Sequence, residues 1–432
     1  MNKSVTRILM LLENNPYPGD LRVFREAKSL TAAGFDVTVI SPTTKNRPWH
    51  ETIDGVRVYR FRAPSSADGI LGYVWEYGYS LVATFFLSML VFLRHGFDVI
   101  HAHNPPDLYV LIAMFYRVMG KKFVFDHHDL APEMYRARFA HGGNRILFQT
   151  LVFFEKLSLR MANHVIVTNE SYKANAIRRG KVPERRITIV RNGPDLNRVR
   201  PRPMDQALRG RAGTILGYVG EIGHQDGLDY LLRSLRCLID KLGRDDFHCV
   251  IIGNGEAWND LVQLNDELNL NEHVWLAGRI QDPKTLFRYL STADICVAPD
   301  PSNPYTDQST MVKMMEYMAL SKPIVAFDLS EHRASAADAA LYATPNDELE
   351  FAKQIVALMD DQQLRHEMGI AGRKRIDEQL SWDHQKDRLI RVYKALGCQS
   401  ERANKFRDEL PDELTTNEPS NVEVAREPAL RE

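Results

Sequence analysis

Short apolar runs alternate with amphipathic stretches along most of this chain, and the alternation starts twice. In the first half, runs rich in Val, Ile and Phe end at polar or turn residues. They lie at Arg7–Leu12, Phe35–Ser41, Val56–Phe61, Asp98–His103, Lys122–His128, His164–Thr168 and Ile187–Arg191, and each predicts a buried strand. Leu21–Ala33, stopped by Gly34, and Ile146–Met161 carry apolar residues at helical spacing. After a connector holding Arg198, Arg200, Pro201, Arg202 and Pro203, the pattern restarts. Strands are predicted at Thr214–Val219, His248–Gly253, Val274–Gly278, Asp294–Ala298 and Pro323–Asp328, with helices at Leu228–Lys241, Trp258–Leu268 and Thr310–Leu320. This is an α/β chain of two doubly wound, Rossmann-like domains, residues 1–198 and 199–380. We expect a helix over 381–397 to pack back on the first domain and 398–432 to be a disordered tail. Ligands of such folds bind at the carboxyl ends of the strands, so two facing domains would share one cleft.

Composition narrows the function. Among 432 residues, 55 Lys and Arg balance 56 Asp and Glu, which excludes a dedicated nucleic-acid binder. Four scattered cysteines fit neither a disulfide framework nor a Cys-rich metal site and point to a cytoplasmic compartment. The apolar stretch after Arg7 ends early, in Glu13-Asn14-Asn15-Pro16, so no secretory signal is expected. Residues 398–432 hold nine acids, five bases and three prolines, the makeup of a disordered tail. Two segments leave alternatives open. Tyr77–Leu93 has no charge, so it is either a buried helix or one partly inserted in a membrane surface. Residues 173–211 carry twelve Lys or Arg against three acids. That is either a solvated face or an attraction for anionic lipid headgroups or a phosphorylated acceptor.

Three polar loops end predicted strands and carry the candidate chemistry. Pro16-Tyr17-Pro18-Gly19-Asp20 leads directly into a helix, whose first N–H groups form an anion site, making Gly19 and Asp20 donor-binding candidates. His101-Ala102-His103 and His127-His128-Asp129 close two further strands on the same edge. Their spacing matches no metal-ligand motif, so no metal is expected. In the second domain, Asp307-Gln308-Ser309-Thr310 enters a helix, with Ser309-Thr310 as N-cap and phosphate seat and Lys313 and Glu316 in the following turns.

In this order the motifs resemble the family 4 retaining glycosyltransferases of the GT-B fold, over nearly all of residues 5–397. The resemblance rests on Pro16–Asp20 with Arg25-Glu26-Ala27, Asp98–His103, Arg191-Asn192-Gly193, Gly217–Gly220 and Met315-Glu316-Tyr317-Met318-Ala319. His127–Leu130 and Asp307–Met311 look like a subgroup that builds bacterial surface polysaccharides. The resemblance implies transfer of a sugar from a nucleotide-diphosphate donor, a UDP-sugar, to a lipid-linked or polysaccharide hydroxyl, with no cofactor or metal. It places the donor on the second domain and the acceptor on the first. Glu316 would hold the ribose, Gln308 would stand where the family has a sugar-binding Glu with Asp307 beside it, and His128 would lie beside the sugar with His127 as alternate. Asp307 joins His128 and Lys313 as a catalytic candidate, and His103 joins His127 on the acceptor side. Where the family clamps the diphosphate with Arg and Lys, this chain has Glu221 and Asp226. We expect the clamp to have moved to Lys313, the Ser309-Thr310 amides and Arg279. The rival expectations are a sugar-nucleotide 2-epimerase of the same fold and a non-enzymatic sugar-nucleotide binder. The expected location is cytoplasmic, peripheral on the membrane.

Overall fold

The computed structural model describes residues 5–43, 47–63, 69–139 and 143–400, so most of the expected tail, 401–432, lies outside the described residues. The first sheet comprises β1 (Arg7–Leu11), β2 (Asp36–Pro42), β3 (His50–Ile53), β4 (Val56–Phe61), β5 (Val99–His103), β6 (Lys122–His127), β7 (His164–Val167) and β8 (Ile187–Ile189). Their order is β3-β4-β2-β1-β5-β6-β7-β8, parallel except for the β3–β4 pair. The second comprises β9 (Thr214–Glu221), β10 (Phe247–Asn254), β11 (Val274–Gly278), β12 (Ile295–Ala298), β13 (Ile324–Phe327) and β14 (Ala340–Ala343). It is ordered β11-β10-β9-β12-β13-β14, with every pair parallel. Helices cover both faces of each sheet, which is why β1 reads as an unbroken apolar run: Ile8, Leu9, Met10 and Leu11 are all buried.

Two strands escape the apolar pattern. β3 is an edge strand whose residues alternate between exposed and half-buried, so it carries polar His50 and Glu51. β14 is Ala-rich and short. The chain closes with helix Trp382–Ala395, which sets Trp382, Leu389, Val392 and Tyr393 into the core of the first domain. A Cβ on Gly193 would fall 2.0 Å from the Leu380 carbonyl oxygen, so only glycine lets the connector pass beneath this returning segment. Residues 398–400 depart from the expected tail. Gln399 accepts from the Thr6 amide at 2.9 Å and donates its own amide to Thr6 Oγ1 at 2.8 Å.

Helix Gly69–Arg94 buries hydroxyls beside Val91 and leaves an apolar stripe exposed. Its inward stripe includes Ser80, Thr84 and Ser88, all fully buried. Ser80 donates to Glu13 at 3.1 Å, Thr84 pairs with Tyr109 at 3.2 Å and Ser88 with Tyr116 at 3.0 Å. Its outward stripe is Trp75, Val82, Phe86, Met89 and Leu93, with Phe86 64% and Leu93 80% exposed. Among the described residues, thirteen of nineteen exposed large apolar side chains lie between Trp75 and Phe153, and Val82, Phe86, Leu111 and Phe115 among them line one apolar hollow on the first domain. By length and composition Trp75–Arg94 is sufficient to cross a membrane, but its hydroxyls are bonded into the domain.

Part of the basic stretch 173–211 is engaged in ion pairs. Arg179 joins Glu133 and Glu155, Lys173 pairs with Glu184 at 2.7 Å, and Arg209 pairs with Asp294 at 2.5 Å. Arg178, Lys181, Arg185, Arg200 and Arg211 remain exposed.

Candidate functional site

The loop after β1 is a helix cap. The Gly19 amide donates to the Pro16 carbonyl at 2.6 Å, and a Cβ at Gly19 would lie only 2.9 Å from that oxygen. Asp20 accepts from the Arg22 and Val23 amides at 3.0 Å each. Its own carboxylate therefore fills the N–H pair expected for a donor phosphate, and Gly19 and Asp20 become capping rather than donor residues.

Behind this loop lies a buried charge network. Arg22 grips Asp126 with Nε at 2.7 Å and Nη2 at 2.8 Å, and reaches Glu26 at 3.2 Å. His103 Nδ1 lies 3.1 Å from Asp126, and His101 bonds the Tyr393 hydroxyl at 2.7 Å. Glu26, His101, His103 and Asp126 offer atoms within 4.8 Å of one another. The cation that these carboxylates already hold is Arg22, which fits neither an open metal site nor free carboxylates. Burial drives the Glu26 carboxyl well above its ordinary range and both histidines down. Burial also works against ionised Asp126, yet Arg22 and His128 hold it well below. His103 is fully buried in this network and is a positioning residue, not an acceptor contact.

The two adjacent histidines diverge because a strand alternates its faces. His127 points into the core, fully buried, with Nε2 3.2 Å from Glu155, which in turn holds Arg179. That removes it from the acceptor side. The His128 side chain is 13% exposed, with Nδ1 3.6 Å from Asp126. Asn104 pins its loop, accepting from the His128 amide at 2.8 Å and the Asp129 amide at 3.1 Å. Burial opposes protonation of His128, but Asp126 outweighs it and raises the pKa above the ordinary 6.5.

The second domain departs further from expectation. Its helix begins at Val312, not Thr310, and Met311 occupies the N-cap without a side-chain bond. Ser309 and Thr310 fail as caps because the first domain claims them. Ser309 bonds Tyr172 at 3.0 Å and Thr310 accepts from Asn169 at 2.9 Å. Gln308 is held at both ends, donating to the Pro304 carbonyl at 2.7 Å and accepting from Asn175 at 3.1 Å. Asp307 accepts from Ser302 at 3.2 Å and, through its carbonyl, from Ser330 at 2.8 Å. Gln308, Ser309 and Thr310 make a clasp between domains, while both Asp307 contacts stay within the second domain, which corrects the reading of these four as free catalytic and donor groups. Tyr305 completes it by packing against the first domain's core.

Lys313 is buried, with Nζ 2.7 Å from Asp300 and 4.8 Å from the centre of the Tyr218 ring. Asp300 already answers its charge, so it is no free diphosphate clamp. Burial pushes nearby Asp226 up to about 6. Arg279 is exposed. Burial raises the Glu316 carboxyl, while Arg198 and then Arg25 draw it back. Arg25 stood in a motif without a role assigned to it, and Arg198, Asp126, Asp300 and the Asn169–Asn175 clasp carried no signal that pointed to these contacts.

Two Rossmann-like domains in contact, with His128 and the Tyr305–Thr310 loop at their carboxyl ends, define the GT-B class of fold. A glycosyl transferase 4-like domain model matches residues 21–193, and a glycosyl transferases group 1 model matches residues 213–361. The chain belongs to the family 4 glycosyltransferases of the GT-B fold. It is similar to sucrose-phosphate synthase from Thermosynechococcus elongatus, at 20% identity, covering 91% of this chain and 99% of that one with TM-score 0.75. HepE of Anabaena, solved with UDP-glucose, gives 16% identity, 90% and 99% coverage and TM-score 0.67. The capsular polysaccharide biosynthesis glycosyltransferase CapM of Staphylococcus aureus is 23% identical over 246 residues, 54% of this chain and 61% of CapM. Matches to curated relatives span from 30% to 74% of the relative's own length.

Proposed function

We propose that this glycosyltransferase moves a sugar from a UDP-sugar to a hydroxyl of a lipid-linked acceptor in surface-glycan synthesis, retaining anomeric configuration and needing no metal. It would work at the cytoplasmic face of a membrane, seated on the exposed apolar side chains of its first domain. The observation that carries the reading is His128, whose pKa Asp126 raises despite burial and which is partly open at the end of β6. A protonated imidazole beside the sugar donates a hydrogen bond and offsets the negative charge that builds on the departing diphosphate. UDP release from candidate UDP-sugars, with and without membrane lipid, tests it. We expect His128→Ala to lower turnover about 100-fold while donor affinity persists, and wild-type turnover to fall as pH rises through the raised His128 pKa. Undiminished turnover in the variant would remove His128 from the reaction. One observation favours a sugar-nucleotide binder without turnover: the Lys313 charge is already answered by Asp300, with Asp226 close by. Donor binding with no product from any acceptor would select that reading.

A further inference from the structure

A groove of about 340 Å³ opens in the first domain between helix Gly69–Arg94 and helices Ala131–Arg138 and Arg145–Met161. Its walls include Leu108, Met134, Leu147, Leu151 and Phe154. Pro105 and Ala131 form the end nearest the candidate site. Pro105 follows Asn104, which pins the His128 loop, and Ala131 lies three residues beyond His128. Arg138 also lines the groove and pairs with Glu256 of the second domain, so one end reaches the space between domains. The helices that form its walls also carry exposed Ile146 and Phe153.

Asp107 lines the groove and Arg138 is paired with Glu256, but the exposed charges on the flanking helices Ala131–Arg138 and Arg145–Met161 are mostly basic. Arg136, Arg138 and Arg145 are exposed on the two flanking helices, whereas Glu133 and Glu155 of the same helices turn inward onto Arg179. An apolar trough with a basic rim, running from an exposed apolar face to a catalytic loop, fits one kind of molecule: a hydrocarbon chain with an anionic phosphate at one end. We propose that this groove binds the first units of the acceptor's hydrocarbon chain, with the lipid phosphate at the Arg136–Arg145 rim and the reacting hydroxyl at His128. This rests on the lipid-linked reading of the acceptor and names the part of the lipid that the protein itself grips.

Farnesyl phosphate and butyl phosphate serve as probes, with binding to the full chain followed by calorimetry. Wild-type protein should bind farnesyl phosphate at least about tenfold more tightly than butyl phosphate. Leu151→Trp and, separately, Leu147→Trp should fill the trough and erase that preference, leaving UDP-sugar affinity unchanged. Phe86→Ser, on the exposed face outside the groove, should keep it. Equal affinity for the two probes in wild-type protein would overturn the proposal. So would a preference that survives in folded Leu151→Trp and Leu147→Trp, or one lost equally in Phe86→Ser, which would signify general adhesion to apolar surface. If the groove variants lose farnesyl phosphate while no glycosyl transfer is found with any donor, the groove stands and the transferase reading falls.

Discussion

Helix Gly69–Arg94 and helix Leu228–Leu242 each flank a parallel sheet, yet of the two only the first leaves large apolar side chains exposed. In the second, Leu228, Leu231, Leu232, Leu235 and Leu238 are buried, and Arg233–Asp229 and Arg236–Asp240 pair outside at 2.6 and 2.7 Å. In the first, buried Ser80, Thr84 and Ser88 share the inner face with Val91 and Phe92, while Trp75, Val82, Phe86, Met89 and Leu93 stand exposed outside. Both obey helical periodicity; the buried partners decide which stripe goes in. Glu13, Tyr109 and Tyr116 present polar groups that need a bond once covered, and Ser80, Thr84 and Ser88 supply it. The outward stripe then gains nothing from water, and becomes stabilising only against an apolar medium.

Breaking this contrast should give its largest effect in stability. Leu235→Ala should cost about 2–5 kcal/mol in denaturant unfolding, whereas Phe86→Ser should stay within about 0.5 kcal/mol. An equal cost would mean that the Phe86 stripe is buried in solution. Next comes the acid beneath the first helix. Burial raises Glu13 to about 7 from the ordinary 4.5, so the folded state holds its proton more tightly than the unfolded chain. Stability from this group is complete below pH 4.5 and is lost as pH rises through about 7. Glu13→Gln keeps a partner for Ser80 and should remove about 3 kcal/mol of that slope, read by comparing unfolding of the two proteins from pH 4 to 8.

Membrane affinity separates the two helices from the other side. Val82→Glu with Phe86→Glu should release the protein from anionic vesicles by at least about tenfold, while Arg233→Glu on the second domain should change nothing in the same flotation assay. The smallest effect belongs to the exposed bases. Reversing Arg178 and Arg185 should weaken vesicle binding by about 1 kcal/mol each at most, an effect abolished by salt. Arg179 is unsuited to such a test, because its loss would strand Glu133 and Glu155.

Much of the architecture was legible. Strand-rich runs and the restart after residue 200 give both sheets, because parallel strands covered on both faces must be apolar throughout. β3 was hidden because an edge strand tolerates polar residues, and β14 because Ala340 and Ala343 carry little apolar signal. The site was legible as a set of loops at strand ends, not as a set of roles. His127 and His128 read alike, and Ser309-Thr310 had the composition of a cap.

What the chain determined locally is where strands end and helices begin, since those follow from periodicity and turn residues over short spans. Tertiary structure alone decided which polar groups are free. Asp126 meets Arg22 across 104 positions, His101 meets Tyr393 across 292, and Thr310 meets Asn169 across 141. Asp300 neutralises Lys313, and buried hydroxyl partners turn an apolar stripe outward. A buried charge or hydroxyl must find its partner wherever the fold supplies one. No local pattern records that partner's position in sequence, so the roles of these residues are fixed only when each domain folds and, for Thr310 and Asn169, when the two domains meet.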